Sequence, residues 1–359
     1  MSVEELLNQS PYSVPQVQKE QILLEELSRL SAHHRAHCPE YERITQVMFP
    51  SSVQPNSLAD LSYLPVSLFK DRLLSSIPPD EVFKTVLSSG TTGQRPSQIF
   101  LDRETAMLQT RALSRIMTHF LGPQRLPMLL IESPELITDR RQFNARAAGL
   151  LGMMNFGHHH RYALDAKLQP RLQEIRDFLS AFGQKPFLIF GFTYLVWSAF
   201  YQHIADLSLD LSNGILIHSG GWKTLQDQAV TAEEFRRSFA KSTGLTRIHN
   251  FYGMVEQVGS VFMEAHDGHF YPPCFADVII RDPITFEELP TGQPGVVEVL
   301  SVLPRSYPGH CLLTADLGVV HAIDPATGEF MGKAFSILGR IAKAELRGCS
   351  DVIAASREG

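Results

Sequence analysis

The chain has 359 residues, of which 44% are hydrophobic and 19% charged, with a formal net charge of −6. That length and composition suit one large folded core or two moderate ones. Without a basic excess, a nucleic-acid partner has no electrostatic support. No stretch approaches the roughly 18 consecutive apolar residues of a membrane span. The opening Met1-Ser2-Val3-Glu4-Glu5 lacks the basic start of a signal peptide. Cys38, Cys274, Cys311 and Cys349 are scattered without paired metal spacing, so a reducing cytoplasm is the expected compartment.

Taken in chain order, residues 16–36 place Ile22, Leu23, Leu27 and Leu30 on one stripe and predict an amphipathic helix, within a helical segment over residues 1–60. Val82–Leu87 and Gln98–Leu101 read as strands on either side of Ser88-Ser89-Gly90-Thr91-Thr92-Gly93-Gln94-Arg95-Pro96-Ser97. Two glycines and a proline forbid regular structure between them, which predicts a hairpin with an exposed tip. Glycine lets main-chain N–H groups approach a ligand, and the hydroxyls add donors, so the loop suits a phosphate; a plain turn of the same composition would look similar. No Gly-Lys-Ser/Thr follows and a strand comes next, so this is not a Walker loop.

Asp102 can cap a helix whose Leu113, Ile116, Met117 and Phe120 share a face, with Gly122-Pro123 ending it. Buried strands are expected at Met128–Ile131, Phe187–Phe190 and Gly214–Ile217. A helix over Ala232–Lys241, closed by Gly244, precedes a strand at Arg247–Phe251. Short buried strands alternating with helices imply an α/β layered fold with a mainly parallel sheet, assigned to residues 61–270. From about Phe275 the texture changes. Val278–Ile280, Val296–Leu300 and Leu317–His321 predict a small antiparallel β subdomain over residues 271–335, followed by a short hinge and tail over 336–359.

Gly220-Gly221-Trp222 follows a strand at the carboxyl end, where open α/β sheets bind ligands, and its glycines let a flat base lie against the backbone. An ordinary strand-helix turn would read the same way. Tyr252-Gly253-Met254-Val255-Glu256 also follows a strand; its ring can stack on a base and its carboxylate can hold magnesium. His158-His159-His160 argues against a metal site, because neighbouring side chains face different ways and no second cluster completes a ligand set.

Ser88-Ser89-Gly90-Thr91-Thr92-Gly93 resembles the phosphate loop of the adenylate-forming superfamily, whose acyl-CoA ligases, adenylation domains and luciferases make acyl adenylates from a carboxylate and ATP. Leu64-Pro65-Val66-Ser67-Leu68-Phe69-Lys70 is similar to one branch, the LuxE-type acyl-protein synthetases of bacterial bioluminescence operons. The likeness recurs in order through Gly220-Gly221-Trp222, Tyr252–Glu256, Thr314-Ala315-Asp316 and Gly339-Arg340. Each motif is weak alone; their order and spacing carry the assignment.

The resemblance implies the N-terminal-domain fold of adenylate-forming enzymes, with ATP and magnesium as cofactors. It places Ser88, Ser89, Gly90, Thr91, Thr92 and Gly93 on phosphate, and Gly220, Gly221, Tyr252 and Gly253 around adenine. Glu256 falls on magnesium, Asp316 on the ribose hydroxyls and Arg340 on ribose or phosphate. A carboxylate suits a vicinal diol, and a guanidinium suits either of its targets. Val255 stands where the family usually has threonine, and Arg95 can substitute for a lysine that many relatives carry in the loop. Phe156, Gly157 and the histidine triplet could border an acyl pocket.

Acyl-CoA ligases carry a mobile, lysine-bearing domain after the Gly-Arg hinge. Here 19 residues follow Arg340 and no lysine lies beyond Lys343, so such a domain is not expected. LuxE-type enzymes instead carry an acyl-accepting cysteine near the carboxyl terminus, and Cys349 in Glu345-Leu346-Arg347-Gly348-Cys349-Ser350 falls there. Arg347 favours its thiolate and Gly348 lends mobility; the plain alternative is an exposed cysteine without a role.

The expectation is an ATP-dependent acyl-protein synthetase. It would activate a carboxylic acid, expected to be fatty, pass it to Cys349, and hand it to a LuxC-like acyl-reductase subunit in an oligomeric complex. The alternatives are an acyl-CoA ligase like those for phenylacetate, and a non-catalytic scaffold of a reductase complex. The missing lysines favour the scaffold slightly, and Glu256, Asp316 and Arg340 oppose it.

Overall fold

The computed structural model describes residues 3–50, 54–88, 96–138, 145–221, 230–326 and 328–341. Ser89, Gly90, Thr91, Thr92, Gly93 and Arg95 of the phosphate loop, Trp222, and Cys349 lie outside the described residues. The chain divides into two units: residues up to Ile116 with Gly253–Phe262 and His269 onward, and Met117–Tyr252 with Met263–Gly268.

In the first unit, β1 (Leu64–Pro65) is followed by the hairpin of β2 (Lys84–Leu87) and β3 (Gln98–Leu101), paired antiparallel from Lys84↔Leu101 to Leu87↔Gln98. Ser88 extends the hairpin: its amide donates to Ser97 O at 3.1 Å, and its Oγ accepts from Ser97 N at 2.8 Å. The predicted hairpin is present, with its first strand starting two residues late because Val82 N–H bonds to Pro79 O in a short helical turn. Asp102 caps the helix Arg103–Leu121 as expected, its Oδ1 accepting from Thr105 N at 2.7 Å.

The second unit holds a parallel sheet. Its strands are β4 (Leu126–Ile131), β5 (Gly157–Tyr162), β6 (Phe187–Phe192), β7 (Gly214–Ser219) and β8 (Arg247–Tyr252), in the spatial order β5-β4-β6-β7-β8. β6 and β7 are buried nearly throughout, which is why their sequences FLIFGF and GILIHS run apolar instead of alternating. Helices Leu172–Phe182 and Ala232–Thr243 pack Ile175, Phe178, Phe235 and Phe239 into a core with Leu129, Ile189, Leu216 and Ile248. Thr231 caps the second helix through Glu234 N at 3.1 Å, and Gly244 ends it in the left-handed region at φ 72°.

A short strand β9 (Phe262–Glu264) precedes the rest of the first unit: β10 (Phe270–Tyr271), β11 (Ala276–Arg281), β12 (Gly295–Ser301), β13 (Cys311–Ile323) and β14 (Lys333–Arg340). β11, β12, β13, β14 and β10 run antiparallel in that order, and β1 lies parallel to β13. The antiparallel region is as expected in kind but more extended. β13 starts at Cys311, so Thr314-Ala315-Asp316 is strand, and the Gly339-Arg340 hinge is the end of β14. Pairing between β13 and β14, with Thr314 Oγ1 bonded to Val297 O of β12, holds these segments extended although Ala315, Asp316 and Gly339 are poor strand formers. Among the described residues no helix is long and apolar enough to cross a membrane.

Helix Gln16–His37 docks on β11 through a buried charge cluster. Asp277, fully buried, has Lys19 Nζ and Lys333 Nζ each 3.5 Å from its carboxylate oxygens and accepts from Gln16 Nε2 at 2.6 Å. Burial alone would raise the Asp277 pKa; the two ammonium groups hold it below the ordinary value instead. Removing one partner of a buried ion pair leaves charge uncompensated, at a cost of about 3–5 kcal/mol. Asp277→Asn, which leaves the buried Lys19 ammonium without its counter-charge, is therefore expected to lower the unfolding free energy by about that amount, read from urea denaturation.

Candidate nucleotide site

Ser219 of β7 pairs with Phe251 of β8, so Gly220 and Tyr252 leave adjacent strands at the same carboxyl edge of the second unit. Gly220 sits at φ 83°, and a Cβ there would meet nothing nearer than a Phe192 ring carbon at 3.9 Å. Gly221 is exposed, with nothing within 4 Å of a Cβ position. Both leave the main chain open to a flat ligand. Tyr252 is half-buried and is the last residue of its strand, not part of the loop after it.

The same edge carries a group that sequence reasoning missed. Glu132, directly after β4 and fully buried, lies 3.2 Å from Arg146 Nε, and Arg146 Nη1 donates to Tyr194 OH at 2.6 Å. The available signal was the polar step Glu132-Ser133 at the end of an apolar strand. The histidine triplet lies on β5: His158 and His159 bring their Nδ1 atoms to 2.5 Å, and His160 Nε2 bonds to Met154 O at 3.0 Å. Among the described residues no three or more His, Cys, Asp or Glu gather as a metal cluster.

In the first unit, Glu256 lies in a short helical turn, Val255–Gln257, after the exposed Gly253. Its side chain is 7% exposed, and among the described residues no hydrogen bond or ion pair engages its carboxylate. The main chain here is fixed: Glu256 O accepts from Tyr307 OH at 2.9 Å, and Gln257 Nε2 donates to Gly309 O at 2.8 Å. Magnesium keeps several waters and is commonly held by one or two carboxylates plus substrate phosphates. A single preset carboxylate therefore fits a magnesium ion arriving with a nucleotide, not one bound by a cage of protein ligands.

Asp316 and Arg340 are direct partners in the β13–β14 register, with Arg340 Nε 3.4 Å from Asp316 Oδ1. Arg340 is 81% exposed, so this pair adds little stability. Its side chains remain at the surface, where a carboxylate and a guanidinium can recognise hydroxyls and phosphate. Thr314 Oγ1 donates to Val297 O at 2.7 Å and accepts from Asp316 N at 3.1 Å, which fixes the strand next to Asp316. The first unit thus carries Ser88, Gly253, Glu256, Asp316 and Arg340, and the second carries Gly220, Gly221 and Tyr252. Tyr307 and Gln257 were missed: Tyr307 stands 51 residues from Glu256, beyond the reach of any local pattern.

A family model described as acyl-protein synthetase, LuxE, matches residues 2–357. Two similar curated proteins are long-chain-fatty-acid–luciferin-component ligases. The one from Vibrio harveyi is 29% identical over 140 residues, covering 38% of this chain and 35% of that protein. The one from Aliivibrio fischeri is 23% identical over 157 residues, covering 42% and 40%. The matched stretch thus spans less than half of either relative. A 2-hydroxyisobutyryl-CoA ligase is similar in structure. Its open conformation gives a TM-score of 0.68 at 16% identity, over 93% of this chain and 77% of that one. Its postadenylation state gives 0.65 at 17%, over 92% and 70%. At that identity the likeness establishes the fold, that of the adenylate-forming enzymes.

Two histidines underlie the edge at Gly220 and Tyr252. Burial pushes His218 down to about 3 and His249 down to about 4, and their mutual proximity adds to the effect on His218. His218 Nδ1 bonds to Thr193 Oγ1 at 2.9 Å, and His249 Nδ1 to Glu264 O at 3.0 Å. Both are neutral in the folded protein at neutral pH, whereas the unfolded chain takes up protons near pH 6.5. Stability is therefore present above about pH 6.5 and is lost as pH falls toward the folded values, by up to about 1.4 kcal/mol per pH unit for each histidine. Urea midpoints measured between pH 7 and 5 should fall with acidity, and His218→Gln should flatten that slope.

Proposed function

This chain belongs to the LuxE acyl-protein synthetase family, and we propose that it activates a carboxylic acid, expected to be a long-chain fatty acid, with ATP and transfers the acyl group to its own Cys349. The observation that supports this best is Glu256, a buried carboxylate that no counter-charge among the described residues engages, on a main chain held from two sides. The two relatives' names, long-chain-fatty-acid–luciferin-component ligases, support the choice of acid.

In the first step, a carboxylate oxygen of the acid attacks the α-phosphorus of ATP; the bond to the bridging oxygen breaks and pyrophosphate leaves, giving the acyl adenylate. The Ser88–Gly93 loop holds phosphate, with Arg95 as the cation. Gly220, Gly221, Tyr252 and Gly253 take the adenine, Asp316 accepts from the ribose hydroxyls, and Arg340 contacts ribose or phosphate. Glu256 would hold magnesium, which neutralises charge on the phosphates. In the second step the Cys349 thiolate attacks the acyl carbon and AMP leaves with the bonding electrons. The thioester then passes to an acyl-reductase partner in an oligomeric complex, with the cytoplasm as the compartment.

Two measurements separate the steps. Glu256→Gln and Asp316→Asn should each reduce acid-dependent ATP–pyrophosphate exchange about 10²–10³-fold, since each removes a preorganised charge; normal exchange in both would overturn the nucleotide assignment. With radiolabelled fatty acid and ATP, the protein should carry a label that survives denaturation and is released by neutral hydroxylamine. Cys349→Ser should lose that label and keep exchange. An undiminished label would move the acyl acceptor elsewhere.

A further inference from the structure

We infer that Tyr307 and Gln257 are positioning residues for Glu256, fixing the main chain of the three-residue turn from which its carboxylate projects. The inference rests on the magnesium role given to Glu256 above and adds the groups that determine where that carboxylate stands.

Tyr307 is fully buried, and its hydroxyl is 2.9 Å from Glu256 O and 3.3 Å from Gln109 Nε2. A phenol has one hydrogen to donate, and an amide N–H can only donate. The Gln109 amide therefore occupies a lone pair of the hydroxyl, and the phenol hydrogen is committed to Glu256 O. The chain Gln109→Tyr307→Glu256 polarises in one direction, each bond strengthening the next.

On the other side of the same peptide, Gln257 is 1% exposed, and its Nε2 donates to Gly309 O at 2.8 Å and Val299 O at 3.1 Å. Residues 256 and 257 are thus tied to Tyr307, Gly309 and β12. Two glycines permit the close approach. A Cβ on Gly309 would lie 2.7 Å from Glu256 O, and one on Gly259, at φ 90°, would lie 2.7 Å from Gln109 O. Side chains at either place would move the turn or the helix that carries Gln109.

Two buried donors, Tyr307 OH and Gln257 Nε2, thus act on one three-residue turn. Their effect is to remove conformational freedom from the residue that would meet the metal. Groups that orient a metal-binding carboxylate typically change metal affinity about 10–100-fold when removed.

The test is binding of Mn²⁺ in the presence of a non-hydrolysable ATP analogue, followed by the electron paramagnetic resonance signal of free Mn²⁺. Tyr307→Phe keeps the ring and removes the hydroxyl; it should weaken Mn²⁺–nucleotide binding about tenfold. Gln109→Met, which leaves the phenol in place but removes the donor that orients it, should weaken it in the same direction and serves if Tyr307→Phe does not fold. Thr243→Val removes a buried hydroxyl in the helix Ala232–Thr243 and should lower thermal stability without moving the Mn²⁺ titration. Gln257→Met, which removes the donor to Gly309 O and Val299 O, should weaken it likewise, and folded Tyr307→Phe, Gln109→Met and Gln257→Met proteins with wild-type Mn²⁺ affinity would overturn the positioning role. Glu256→Gln distinguishes the two levels: if it too binds Mn²⁺ normally, the metal assignment itself fails, whereas weakened binding in Glu256→Gln alone rejects only the role of Tyr307 and Gln257.

Discussion

A carboxylate with no access to water governs the first unit. Asp277 on β11 is tolerable only because Lys19 arrives from the helix Gln16–His37 and Lys333 from β14, with Gln16 completing its hydrogen bonds. The N-terminal helix is thereby part of the sheet's electrostatics, not an appendage. The same ammonium group on Lys333 donates to Val278 O at 2.8 Å, which pins the start of β14. From that fixed start, the β13–β14 register leads to the direct pairing of Asp316 with Arg340. A surface pair of little intrinsic strength thus sits on backbone held by a strong buried one.

The turn at Glu256 follows a related logic with neutral groups. Its polar anchors, Tyr307 OH and Gln257 Nε2, are buried and satisfied, and the group they support is left without a counter-charge among the described residues. Fixing the main chain through side-chain hydrogen bonds leaves the carboxylate itself unspent. A direct ion pair would have held it as firmly and neutralised it.

In the second unit the organising constraint is parallel pairing. Parallel strands joined by helices bring their carboxyl ends to one edge, so the register Ser219↔Phe251 alone is enough to make Gly220 and Tyr252 neighbours. Burial of β6 and β7 on both faces fixes the sheet, and the neutral His218 and His249 are accepted within it because each ring has a hydrogen-bond partner. The positive φ of Gly220 then turns the chain out of the strand where a side chain would close the approach.

Local pattern determined a good deal. The apolar runs of β4, β6 and β7, the Asp102 and Gly244 helix ends and the β2–β3 hairpin were all legible, because each depends on residues a few positions apart. So was the family assignment drawn from the ordered motifs, which the family match over residues 2–357 bears out. What tertiary structure decided was long-range. Thr314-Ala315-Asp316 and Gly339-Arg340 became strand through the pairing of β13 with β14, against the weak preference of Ala315, Asp316 and Gly339. Tyr307 met Glu256 across 51 positions of chain and Gln109 met Tyr307 across 198, with no periodicity to announce it. Sequence names the groups able to do chemistry, since that depends on side-chain type. Which of them are held still depends on burial and on hydrogen bonds between distant segments, and those exist only once the chain has folded.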